Sequence, residues 1–351
     1  MEKYEHIRHR LSRNGLDGFL VSEMLNIRYL TGFTGSSAVL FIGMDSVIFF
    51  TDFRYKYECE EQLKYEDVVI VKADYYKEIK KKLKSIGVQK LGFEYGAPYY
   101  VFEKMKKEFE LKTLKGVIEK MRMIKKQGEI KNIKMAVRRA EDAFRKTKKY
   151  IRAGVKERKI ALLLEHNLKK EGCSRMPFDI IVASGKNSAL PHARVTDREI
   201  KRGEFVIIDW GGEAAGYVSD MTRTLLMAGD GLTEKRRMYQ TVLGANRRTI
   251  SNIRPNLSGS DIDGMARNYI KSKGYGQFFG HGTGHGVGLN VHEKPAISPR
   301  SKDKVKEGII FTVEPGIYVP ELGGVRIEDM VVLKDGMGKC LTTLPKSLEI
   351  L

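Results

Sequence analysis

Cysteine is scarce in this 351-residue chain: Cys59, Cys173 and Cys340 are few, odd in number and widely spaced. They make neither a disulfide framework nor a CxxC metal site, and a reducing cytoplasm is the compartment expected from them. No apolar run approaches the roughly 18–20 residues that span a bilayer, so no membrane partner is expected. The N-terminus, MEKYEHIRHR, is charged and leads into no signal-type apolar stretch. Short-period repeats, low-complexity tracts and a Pro/Ser linker are also missing. What remains is 42% hydrophobic, enough for a sizeable core, over a length that suits two domains.

Charge is strongly of one sign, +19 net, and much of the excess is local: residues 121–160 hold 15 Lys/Arg against 4 Asp/Glu. Such a stretch can be a nucleic-acid footprint or a solvated helix face. Ile130, Ile133, Val137, Ala140, Phe144 and Ile151 give it an apolar stripe, and the segment reads as one long helix. Aromatic and glycine interleaving for base stacking is absent, so no specific nucleic-acid partner is expected.

Residues 1–122 alternate helical patterns (EKYEHIRHRLSRNG, YYKEIKKKLKSIG) with short β-rich runs (GFLVS, AVLFIG, SVIFFTD, DVVIVKA, KLGFEY), which predicts an α/β unit. After the basic stretch and a second amphipathic segment, VKERKIALLLEHNLKKEG, strands dominate in FDIIVAS, FVIIDWGG, GYVSDMTRTLL, IIFTVEPGIYV and VRIEDMVVLK. A helix-turn-helix region reaches to about residue 273. Residues 123–351 are accordingly expected to be a separate α+β domain.

Those strands carry acids. Asp209 ends an apolar run before two glycines. Alternation places Asp220 with Val218, Thr222 and Thr224, Glu314 with Ile310 and Thr312, and Glu328 with Arg326 and Met330. A carboxylate on an otherwise apolar face needs a partner. Four of them balance two divalent cations, and with one imidazole they suit a binuclear hydrolytic site for oxygen-preferring metals. The imidazole comes from GHGTGHGVGLNVHE. His281 and His285 are four apart, but each interleaved glycine costs a helix about 1 kcal/mol relative to Ala, and no Glu follows the first His, so a helical zinc motif is excluded. No GxGxxG register fits either. The segment is expected to be extended, with His281, Thr283 and His285 on one side and glycines that let backbone approach closely.

Together, PHARVTDREIKRGEFVIIDWGGEAAGYVSDMTRT, GHGTGHGVGLNVHE, FTVEPGIYVPELGGVRIEDM and NIRYLTGFTGSSA resemble the aminopeptidase P and prolidase group of pita-bread metallopeptidases, over nearly the whole chain. The resemblance implies a C-terminal pita-bread domain behind a smaller creatinase-type α/β domain, and a homodimer. It implies two divalent ions, manganese first and cobalt or zinc as alternatives. Asp209 would chelate one, His285 and Glu314 would bind the other, and Asp220 and Glu328 would bridge. His192, His281, His292, Glu314 and Arg326 would form the catalytic surround. A hydroxide shared by the ions would attack the carbonyl before proline, with Glu314 passing the proton to the prolyl nitrogen and the substrate amine near Asp209.

Several prolidases have Arg where this chain has Ala296. That departure favours an Xaa-Pro aminopeptidase acting on longer peptides over a strict Xaa-Pro dipeptidase. Arg300, or Tyr29 and Arg54 from the N-terminal domain of a second copy of the chain in the dimer, are the alternative contacts for a substrate carboxylate. A metal-free pita-bread protein, creatinase-like or recruited to nucleic acid or histones, is the competing class, and the five-residue ligand set speaks against it.

Overall fold

The computed structural model describes residues 2–64 and 66–351, and the chain divides into two compact units, Met1–Arg122 and Met123–Leu351. The first holds a six-stranded mixed sheet in the order Asp67–Val71, Val47–Asp52, Ala38–Gly43, Gly18–Val21, Lys90–Glu94 and Glu110–Leu114. The apolar runs become central strands buried on both faces. Glu94 ends one of them among polar groups, accepting from the Ser22 and Glu23 amides and the Asn26 side chain at 2.7–2.9 Å. Burial nonetheless pushes its carboxyl up to about 7. Of the contacts expected from this unit, Tyr29 is buried and the Arg54 guanidinium is already paired with Asp52.

The basic stretch is not one helix: residues 121–123 end a helix that belongs almost wholly to the first unit, and the second unit's own helix starts at Gln127. Val117–Met123 ends before Gln127–Lys148 begins, and the Glu129 carboxylate caps the new helix by accepting from the Lys126 amide. Ile130, Ile133, Val137, Ala140 and Phe144 form the buried stripe of the second helix, whereas Ile151 is buried beyond its end. Trp210 lies on this helix, its ring 4.4 Å from Phe144 and its indole N–H donating to the Ala140 carbonyl. The cationic face stays in solvent, where Arg138 and Arg145 reach Asp142.

The strands of this unit pair antiparallel. Met221–Leu226, Phe205–Trp210 and Ile181–Ser184 make one sheet; Glu293–Ile297, Gly284–Gly286, Ile310–Val313, Asp329–Lys334 and Met337–Cys340 make another. Gly316–Val319 and Gly323–Arg326 form a hairpin beside them. Helices Thr233–Asn252 and Gly259–Ser272 pack against each other, the second opened by a Ser258/Asp261 capping box. Among the described residues no helix is long and apolar enough to cross a membrane.

The alternation read from sequence runs straight through positions where the strands break. Asp220 precedes Met221–Leu226, Glu314 falls between Ile310–Val313 and Gly316–Val319, and Glu328 falls between Gly323–Arg326 and Asp329–Lys334. Each acid thus occupies a gap in the ladder, where the carboxylate is not committed to a sheet face.

Close approach explains the glycines at 284 and 286. A methyl group on Gly286 would meet the Lys294 carbonyl at 2.0 Å, and one on Gly284 the Thr312 carbonyl at the same distance. Both obstacles are backbone, which cannot swing aside. Gly286→Ala is therefore expected to cost about 1–3 kcal/mol in urea unfolding. Gly280→Ala, which would meet nothing within 4 Å, should leave the midpoint unchanged; equal losses would show that crowding is not the cause.

Candidate metal centre

Every residue selected from the sequence as ligand or catalytic group lines one cavity of about 840 Å³ in the C-terminal unit: Asp209, Asp220, His285, Glu314, Glu328, His192, His281, His292 and Arg326. One ligand atom each from Asp220, His285 and Glu328 lies within 4.8 Å of the others, a spacing that could hold a cation. His285 Nε2 stands 3.5 Å from Asp220 Oδ2 and 3.5 Å from Glu314 Oε1.

Local structure fixes each group. The buried Thr312 hydroxyl accepts from the His285 amide at 3.1 Å and donates to Glu314 Oε1 at 3.3 Å, so one side chain aligns two of the residues. The Thr222 hydroxyl, also buried, donates to Glu328 Oε2 at 2.7 Å and accepts from Arg326 Nε at 3.1 Å. Arg326 then donates from Nη2 to Asp209 Oδ2 at 2.6 Å and from Nη1 to the Pro191 carbonyl and the Tyr318 hydroxyl. Asp209 Oδ1 is buried and has no hydrogen-bond partner among the described residues. An orphaned carboxylate oxygen beside three further acids is the donor chemistry a divalent cation completes.

Electrostatics follow from crowding. Burial, then the Asp209 and Glu314 charges, raises Asp220 well above the usual carboxylate range. Burial and the Asp220, Glu314 and Asp209 charges do the same to Glu328. Burial lifts Glu314 to about 7 although Arg326 pulls the other way. Burial also lowers His285, which keeps it neutral. With Nδ1–H donating to the Gly286 carbonyl at 3.2 Å, Nε2 presents a lone pair toward the acids.

The extended histidine segment is not uniform. His281 and His285 line the cavity, but Thr283 is buried, its amide and hydroxyl both donating to Asp263 Oδ1. Asp263 is itself held by Arg267, which also donates to the His281 carbonyl at 2.6 Å. Thr283 therefore anchors the segment instead of facing substrate. His192 and His292 are exposed in the wall, the latter ring 4.4 Å from that of His285.

Tyr318 is a residue the sequence reading missed. Its hydroxyl accepts from Arg326 and donates to His281 Nε2 at 2.9 Å, while His281 Nδ1–H donates to the Gly282 carbonyl at 2.7 Å. The only available signal was a tyrosine in an apolar strand, whose buried hydroxyl needs partners. Ala296 and Arg300 do not line the cavity.

Comparison with known proteins follows the same division of the chain. Residues 131–335 match Metallopeptidase family M24, and residues 3–124 match the Creatinase/Prolidase N-terminal domain. A solved Xaa-Pro dipeptidase from Bacillus anthracis has a TM-score of 0.97 at 39% identity, over 100% of this chain and 99% of that one. An X-Pro aminopeptidase from Thermotoga maritima MSB8 has a TM-score of 0.90 at 37% identity, over 97% and 100%. An Xaa-Pro dipeptidase of Pyrococcus horikoshii is 35% identical over 99% of this chain and 98% of its own. The α+β C-terminal unit has the pita-bread fold behind a creatinase-type N-terminal domain, and divalent metal use comes with the family. The chain belongs to metallopeptidase family M24, a family of hydrolytic peptidases.

Proposed function

We propose that the protein removes the N-terminal residue from peptides with proline in second position, and that Xaa-Pro dipeptides are among its substrates. The observation that carries this reading is the trio Asp220, His285 and Glu328 within 4.8 Å, beside the orphaned Asp209 Oδ1. Asp209, Asp220, His285, Glu314 and Glu328 are the residues we assign to two divalent cations, manganese first, with cobalt or zinc as alternatives. When bound, such ions supply Lewis acidity and bring the pKa of water near neutrality.

The chain's own groups do the rest. Arg326 steadies Asp209 directly and Glu328 through Thr222. Glu314 Oε1 accepts from Thr312, which leaves Oε2 to carry a proton to the prolyl nitrogen, a group that must be protonated to leave. His192 and His292, exposed on the wall, are the donors we assign to the substrate carbonyl oxygen as its charge grows. A narrower preference for longer peptides has Ala296 in its favour, since it offers no cation to a dipeptide's carboxylate.

Three outcomes check this reading. Ala-Pro and Ala-Pro-Ala should both be cut after the first residue once manganese, cobalt or zinc is added to chelated protein. No cleavage with any of them, together with no bound metal by mass spectrometry, rejects it. The pH dependence has a definite sign. Carboxyls raised by burial favour the fold while protonated, so metal-free stability is full below about 4.5 and is lost as pH rises through about 7, the Glu314 value. Cations require the ionised forms and reverse that loss. The Tm difference between metal-loaded and chelated protein should therefore be larger at pH 8 than at pH 5.5. Asp220→Asn removes one repelling charge, so it should lower metal loading and activity at least about tenfold. The same change should raise the Tm of the chelated protein at pH 8. A fall in that Tm would mean the carboxylate is structural.

A further inference from the structure

Two guanidinium groups line the cavity, and no lysine does. Arg326 is buried and committed to Asp209, Tyr318, Thr222 and the Pro191 carbonyl. Arg194 is exposed and makes no hydrogen bond or ion pair with any described residue. Asp179, the exposed acid of the same lining, does not pair with it.

The backbone that carries Arg194 is nonetheless fixed on both sides. Upstream, the Pro191 carbonyl is held by Arg326 at 3.1 Å, and the Ala193 amide donates to the Leu190 carbonyl at 3.2 Å. Downstream, the Thr196 amide and hydroxyl both donate to Glu157 Oε2, a carboxylate buried under the loop. Arg194 is thus an exposed cation on an anchored base, set into the wall that also carries His192. Its fork of N–H donors has no partner among the described residues.

We infer that Arg194 binds the substrate's C-terminal carboxylate and so sets how well a dipeptide competes with a longer peptide. The inference rests on the proposed Xaa-Pro activity. In an Xaa-Pro dipeptide the free carboxylate lies one residue past the scissile carbonyl, at most about 3.6 Å further along the chain. It therefore stays within the cavity, where the fixed acids repel it and Arg194 is the one uncommitted cation in the lining. In a longer peptide that position is a neutral amide, and the charge lies further out. Arg–carboxylate pairing is charge-assisted and bidentate, and Lys reproduces only part of it.

The test contrasts substrates that differ only in that charge. For Arg194→Gln in the metal-loaded, full-length protein, KM for Ala-Pro should rise at least about tenfold with kcat within about twofold. KM for Ala-Pro-amide and Ala-Pro-Ala should move by less than about twofold, and Arg194→Lys should recover part of the loss. An equal rise for acid and amide, or no rise for either, overturns the inference. Calorimetric binding of Ala-Pro with its scissile carbonyl reduced to methylene, against the same analogue as a carboxamide, reads the contrast without turnover. A wild type that cuts no peptide yet prefers the acid analogue, and loses that preference in Arg194→Gln, removes the peptidase reading and keeps Arg194 as a carboxylate site. No preference in the wild type overturns the inference.

Discussion

Asp209, Asp220, Glu314 and Glu328 share one cavity, and repulsion among four carboxylates in poorly hydrated surroundings is the constraint that the C-terminal unit answers. Each acid alone would be solvated or paired; together they cannot all be ionised without imported positive charge. The protein supplies only part of that charge, through Arg326. The rest of its effort is neutral: buried threonine hydroxyls at 222 and 312 orient carboxylate oxygens without cancelling them. A site that neutralised all four acids internally would have no affinity left for cations.

The neighbour of one ligand candidate illustrates the converse. Asp329 follows Glu328 directly, yet its carboxylate meets Arg223 at 2.9 Å and Lys346 at 2.8 Å, with Thr342 and Asn246 as further donors. Burial works to raise it, but Arg223 and Lys346 outweigh that and hold it below the usual range. Two adjacent acids are thus driven in opposite directions. Arg223 also donates to the Glu328 carbonyl at 2.6 Å, so the satisfied acid and its partners pin the backbone from which the unsatisfied one projects.

Much of this was legible beforehand because periodicity reports burial. The stripe from Ile130 to Phe144 and the apolar runs of the N-terminal sheet follow from hydrophobic patterning alone. Alternation put Thr222 and Thr224 on a common face, and both hydroxyls do reach the Arg326–Glu328 segment. The same rule could not see that Asp220, Glu314 and Glu328 sit in breaks, since a pattern of period two reads unchanged across an interrupted ladder. Nor could it separate Met123 from Gln127, where three residues leave the helix without disturbing the apolar spacing. Tyr318 and Arg194 escaped for another reason. Their significance lies in which partners they have or lack, and partners distant in sequence leave no local trace.

The hydrogen bonds that run from Arg326 through Tyr318 to His281 and the Gly282 carbonyl have a fixed sense. Arginine can only donate and a carbonyl can only accept, so the hydroxyl and the imidazole between them have no choice of direction. His281 therefore spends its one lone pair on Tyr318, and burial lowers it to about 4, which disfavours taking up another proton. Among the histidines of the cavity it has both ring nitrogens engaged within the protein, Nδ1 by the Gly282 carbonyl and Nε2 by the Tyr318 hydroxyl, so its imidazole braces the glycine-rich segment against the hairpin that carries Tyr318.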